Sequence, residues 1–162
     1  MFFVLLIILL VAAAAHVALS KPRTFTRGAR LFLLYLLVGY CGVPMVLVSL
    51  WCLARPGEAA SVLGFPPGGP FQQFFAVAYL GMSIISLLAP FLRRSYVIGP
   101  AVCWAVFFAG ATVIHFRDAS AHGDLSHGNM WLIFATHGLI SLLLIGLIAS
   151  GASREKTSPT TT

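Results

Sequence analysis

This 162-residue sequence predicts an all-α integral membrane bundle of about five transmembrane helices, N-terminus out and C-terminus in, on three observations. The first is composition. With 59% hydrophobic and 9% charged residues and a mean hydropathy of +0.96, the chain has too little polar surface to coat a soluble domain, so its apolar excess is expected to face lipid. The second is segmentation. Apolar runs at Met1–Leu19, Leu31–Leu53, Phe74–Leu92, Tyr96–Phe116 and Trp131–Ser150 each approach the roughly 20 residues that cross about 30 Å of hydrocarbon. The third is charge placement. Of the ten Lys and Arg, Lys21, Arg23, Arg27, Arg30, Arg93, Arg94, Arg154 and Lys156 fall in connections on one face, leaving Arg55 and Arg117 on the other. Cytoplasmic loops retain basic residues, which orients the chain and explains the net charge of +6 without nucleic acid.

Residues 1–152 therefore read as one transmembrane domain and 153–162 as a polar cytoplasmic tail expected to be disordered. The first run has no Lys or Arg ahead of it, and the positive cluster follows it, the pattern of an uncleaved helix rather than a signal peptide. A short basic loop, KPRTFTRGAR, leads to the second run, where Pro44 is a candidate kink. The outer loop from Ala54 to Gln73 carries Pro66, Pro67 and Pro70 around Gly68 and Gly69, a stiff turn. The brief RRS connection makes the third and fourth runs antiparallel neighbours. The outer loop RDASAHGDLSHGN ends at Asn129, placed to cap the last run. The three cysteines form no disulfide framework: Cys41 and Cys52 lie about 16 Å apart along one helix, and free thiols behave as small apolar residues.

Helices in a bilayer associate through small and polar residues. On the third run Gln72, Ala76, Tyr79, Ser83, Ser86 and Pro90 fall within a sector of roughly 80° at 100° per residue, a protein-facing stripe. Tyr35, Gly39, Gly42 and Ser49 repeat the pattern on the second, Ala101, Ala105, Thr112 and His115 on the fourth, and His137, Gly138 and Ser141 on the fifth.

Ionisable groups within a bilayer are costly and mark functional sites. His137 lies roughly 9 Å inside the outer boundary at Trp131, and His16 lies near the opposite boundary at Lys21. Counting depth along each helix brings Gln72, Tyr79, Thr112, His115, His137 and Ser141 to one level of the outer leaflet, a candidate ligand pocket. His115, His122, His127 and His137 form a candidate metal set, since neutral imidazole is a common metal ligand and Asp118 and Asp124 stand nearby in sequence. Their spacing matches no recognised metal motif, and neither HExxH nor CxxC occurs. The sequence names no cofactor. It also lacks a G-x-S-x-G elbow, a P-loop, a dinucleotide fingerprint and any carboxylate within the apolar runs, which argues against an enzyme and against a proton-driven transporter.

The stretches KPRT at Lys21–Thr24, GFPPGGPFQ at Gly64–Gln72 and HFRD through HGN at His115–Asn129 carry a resemblance over most of the chain. It resembles a family of small bacterial multi-span membrane proteins of unknown function, with Phe65 where that pattern has Trp. The resemblance implies a bacterial inner membrane and the same helical architecture, and it assigns no role to Pro70, Phe71, Gln72, His115 or Asn129. Three readings follow. The chain is a non-enzymatic accessory subunit or small-ligand bundle, with the lipid bilayer, a membrane partner or a second copy as its partners. It is a metal-, haem- or quinone-linked redox protein using outer histidines. Or it is a small transporter or channel.

Overall fold

The computed structural model describes residues 2–21, 24–63, 70–122 and 130–152, and every element among them is helical. In chain order these are α1 (Phe2–Leu19), α2 (Phe25–Tyr35), a π-helical segment (Leu36–Gly42), α3 (Val43–Ala54), α4 (Pro56–Leu63), α5 (Phe71–Leu88), α6 (Ile98–His122) and α7 (Met130–Ala149). Short 3₁₀ turns at Ala89–Phe91 and Arg94–Val97 join α5 to α6. Among the described residues, four helical stretches are long and apolar enough to cross a bilayer: Phe2–Leu19, Phe25–Ala54, Phe71–Phe91 and Ser95–Ala121. Ala135–Ala149 is a shorter apolar helix.

The element bounds depart from the apolar runs where local signals outweigh hydropathy. The second long helix starts at Phe25 rather than Leu31 because Thr24, in extended conformation, caps it: its Oγ1 accepts from the Arg27 N–H at 3.4 Å. The second half of the expected basic loop is thus helical. At the other end of the bundle α6 continues past Phe116 through His122, so Arg117 and His122 are helical rather than in a loop. The loop after Ala54 contains α4, with Glu58 in its first turn, where a carboxylate favours the helix dipole. Of the expected α5 stripe, Gln72, Ala76, Tyr79, Ser83 and Ser86 are buried, but Pro90 is exposed and Ala89 is buried instead. The tightening from α-helix to a 3₁₀ turn at Ala89 rotates the stripe by about one position. Arg23, residues 64–69, Asp124, His127, Asn129 and the tail from residue 153 lie outside the described residues.

The break at Pro44 takes the form of a π-helical segment directly before it, closed by a bond from the Val43 N–H to the Val38 carbonyl. Proline has no N–H to return to the preceding turn, and the wider helix absorbs that mismatch. Leu36, Leu37, Tyr40 and Cys41 of this segment are fully buried at the bundle centre, together with Leu6, Leu33, Trp104, Phe108, Ile140 and Leu144. The most extensive helix pairs are α6 with α7 and α3 with α5. Helices α5 and α6 also meet as antiparallel neighbours: Trp104 Nε1 donates to Ser86 Oγ at 2.8 Å, and Ser86 Oγ donates in turn to the Met82 carbonyl at 2.9 Å. The outward faces are apolar. Val4, Ile8 and Val11 on α1, Phe74 and Val77 on α5, Val106 and Val113 on α6 and Leu142 on α7 are each more than half exposed.

Candidate functional site

The residues singled out for an outer pocket divide between two places. Four of them line the antiparallel seam between α6 and α7. Ser141 Oγ donates to the Ala105 carbonyl at 2.9 Å, fastening the helices at their middle. One to two turns farther along, Thr112 packs over Gly138, where an added Cβ would stand 3.9 Å from the Thr112 methyl, and the Thr112 hydroxyl donates to the Phe108 carbonyl at 2.8 Å. At the far end the rings of His115 and His137 lie 6.1 Å apart between centres, and His137 also meets Phe108 edge-on at 5.0 Å. Helical spacing explains the grouping, since Ala105, Phe108, Thr112 and His115 follow one face of α6.

Tyr79 stands elsewhere. Like Gln72 it is buried on α5, and it packs against Phe75, Phe107 and Trp104 at 4.4, 4.8 and 5.1 Å between ring centres. Trp104 stacks on Phe108 at 5.2 Å, so a layer of indole and phenyl rings stands between Tyr79 and His137. Depth along each helix puts Tyr79 and His137 at one level, but they do not stand on one side of that layer.

Among the described residues no three His, Cys, Asp or Glu groups approach closely enough to hold a metal ion. The closest approximation is the histidine pair. With metal–nitrogen bonds of about 2 Å, two imidazoles on one ion have ring centres roughly 5 Å apart, near the 6.1 Å observed. His122 is the last residue of α6, seven positions or two turns beyond His115, and His127 lies outside the described residues.

The bundle also carries an open groove of about 770 Å³ at its opposite end, between the C-terminal halves of α1 and α7 and the start of α2. Its walls are apolar: Ala14, Val17 and Ala18 from α1, Gly28 and Phe32 from α2, and Gly146 from α7, with Thr24 and Ser150 at its mouth. Beside the groove, His16 Nδ1 is hydrogen-bonded to the Tyr35 hydroxyl at 3.2 Å, which ties α1 to α2. His16, the other histidine that the sequence sets within an apolar run, thus has a helix-to-helix partner.

The profile of DUF6790, a family of unknown function, matches residues 1–157. The chain belongs to that family. Neither a curated protein nor a solved structure matches it. The resemblance to a family of unknown function is thereby borne out at that level, and DUF6790 membership leaves the chemistry to be read from the residues themselves. Sequence reasoning about this DUF6790 chain missed the groove, because a groove arises where helices diverge, and its lining of Ala, Gly, Val and Phe is indistinguishable from packed core in one dimension. The signal that was legible is the row Ala14, Val17, Ala18 and Lys21, three apolar positions and one cation at helical spacing on α1.

Proposed function

We propose that this chain is a multi-pass protein of a bacterial inner membrane, N-terminus outside and C-terminus inside, that works without catalysis as a binding bundle for a small apolar ligand. The observation that carries the reading is the contrast between its filled interior and its open flank. Inside, the polar side chains are committed to the bundle: Ser49 and Ser83 return to the Met45 and Tyr79 carbonyls at 2.7 Å each, Ser86 receives Trp104, and Ser141 crosses to Ala105. On the flank, the groove has the volume of a small-molecule site, which typically runs from about 300 to 1,000 Å³. The exposed apolar faces support insertion in a bilayer, since a soluble monomer rarely exposes such continuous patches.

Substituted-cysteine labelling tests the orientation. In right-side-out vesicles Glu58→Cys is expected to react with an impermeant maleimide at once and Arg93→Cys only after permeabilisation; the reverse order refutes it. Stoichiometric co-purification of another polypeptide would instead assign the chain to the accessory-subunit class. A second reading rests on the His115–His137 pair, whose geometry suits two ligands of a metal or a haem. Metal analysis and an absorption spectrum of purified protein decide it: a stoichiometric ion or a Soret band lost in His115→Ala and His137→Ala establishes that site, and their absence removes it.

A further inference from the structure

We propose that the groove between α1, α2 and α7 is a binding site for one anionic phospholipid of the inner leaflet, its acyl chain in the groove and its phosphate at Lys21 and Arg27. The inference rests on the membrane orientation proposed above and names the ligand class for that groove.

Length comes first. The groove's α7 wall runs from Leu142 to Ser150 and its α2 wall from Thr24 to Phe32, nine residues each, or about 12 Å end to end at a rise of 1.5 Å per residue. One leaflet of hydrocarbon is about 15 Å deep, half of the 30 Å core. The groove thus runs from the level of the helix ends to near the middle of the membrane, the path of an acyl chain.

Charge supplies the second constraint. The lining row on α1, Ala14, Val17 and Ala18, continues past the helix end to Lys21, and a helix-like bond from the Ser20 N–H to the His16 carbonyl at 3.0 Å keeps the chain turning there. Arg27 donates from its guanidinium to the Lys21 carbonyl, which holds this second cation against the backbone of the first. The exposed Thr24 hydroxyl lies between them in sequence and lines the groove mouth. The two described acids lie toward the far end, Glu58 in the first turn of α4 and Asp118 in the last turns of α6, and Glu155 lies outside the described residues between Arg154 and Lys156. An apolar channel whose mouth at Thr24 has Lys21 and Arg27 three residues to either side in sequence complements a lipid with an apolar tail and an anionic head. A transmembrane helix of a partner has no need of that cationic end.

The groove is also open by residue choice. At Gly146 an added Cβ meets nothing within 4 Å, and at Gly28 it meets only Val17 at 3.5 Å. Side chains at these positions would occupy the space, so the glycines leave room for something other than protein.

The test is native mass spectrometry of the full chain, reconstituted with phosphatidylglycerol or with phosphatidylcholine of the same acyl composition. Wild type is expected to retain one phosphatidylglycerol and to prefer it over phosphatidylcholine. Removing both charges in Lys21→Gln/Arg27→Gln should weaken retention about thirtyfold, while Arg55→Gln at the other end leaves it unchanged. Gly146→Leu, which fills the groove with charges intact, should abolish retention of either lipid. Equal retention of the two lipids by wild type, or unaltered preference in the double variant, overturns the proposal. Photo-crosslinking from Phe25 to a polypeptide in place of lipid overturns it in favour of a protein partner. If the double variant fails to fold, the wild-type comparison of the two lipids still decides. Labelling of Lys21→Cys from outside the vesicles would refute the orientation alone, which separates that failure from failure of the lipid site.

Discussion

Gly42 offers the sharpest test of how closely the helices approach around the π-helical segment. It ends that segment at φ −89°, ψ −83°, outside the α-helical region. A Cβ at this position would stand 2.6 Å from Leu87 Cδ2, 3.0 Å from Leu87 Cγ and 3.1 Å from the Leu37 carbonyl oxygen. Turning the Leu87 tip relieves the first contact. The Leu37 carbonyl belongs to the backbone of the same segment and cannot turn away, so Gly42→Ala forces a backbone shift. Overpacking of this kind costs about 1–3 kcal/mol. The gain of up to about 1 kcal/mol that Ala brings inside an α-helix does not apply to a residue with this ψ. Gly110 is the matched control: it lies inside α6 and an added Cβ meets nothing within 4 Å, so Gly110→Ala is expected to be neutral or stabilising by up to about 1 kcal/mol. The assay is unfolding in mixed micelles by titration with sodium dodecyl sulfate, followed by far-ultraviolet circular dichroism. Loss of about 1–3 kcal/mol for Gly42→Ala beside no loss for Gly110→Ala is the expected pair. Equal stability of the two variants would refute the close approach of Leu87 and with it the packing around the π-helical segment.

A double-mutant cycle on Ser86→Ala and Trp104→Phe should return a coupling of roughly 0.6–1.7 kcal/mol, the range for hydrogen bonds between membrane helices, read in the same titration; zero coupling contradicts the 2.8 Å bond. Thr24→Ala removes the cap of α2 and should cost about 1 kcal/mol locally, visible as faster amide exchange over residues 25–28 with the core unaffected. The Arg55–Glu58 ion pair at 3.3 Å has both side chains at least 60% exposed, so Glu58→Gln should change stability by less than about 0.5 kcal/mol; a larger loss would mean that α4 packs into the bundle more tightly than its exposure indicates.

What could be read in advance follows from which physical signals are one-dimensional. Periodicity is one, and on α5 it located Gln72, Ala76, Tyr79, Ser83 and Ser86 as the buried face, because a helix converts spacing into direction without further information. Pro90 escaped because the change to a 3₁₀ turn alters that conversion. Helix ends were less legible: Thr24 and the Arg-bearing turn after it read as a loop on hydropathy, yet the cap and the chain's own hydrogen bonding extend α2 through them. The outer cluster shows a different limit. Depth can be counted along each helix, which placed Tyr79 and His137 at one level, but the rotation of one helix against another is set by packing. There the rings of Trp104 and Phe108 intervene.

Glycine serves two opposite ends in this bundle, and the difference explains why the groove and the core are built from similar residues. In the bilayer proposed for this chain, apolar contact between helices would gain little, since lipid tails are as apolar as leucine, so cohesion would depend on close approach and on hydrogen bonds between helices. At the bundle centre Gly39 and Gly42 admit Leu9 and Leu87 against bare backbone, and a Cβ at either position would collide. At the end of the bundle that holds the groove Gly146 faces open space and Gly28 meets only Val17, while the Arg27 guanidinium bonds the Lys21 carbonyl. Contact at the centre therefore holds the helices, while at the groove no side chain at positions 28 and 146 fills the space between them. Large residues should be rejected at positions 39 and 42 and accepted at 146, where the fold would persist and the occupant of the groove would be displaced.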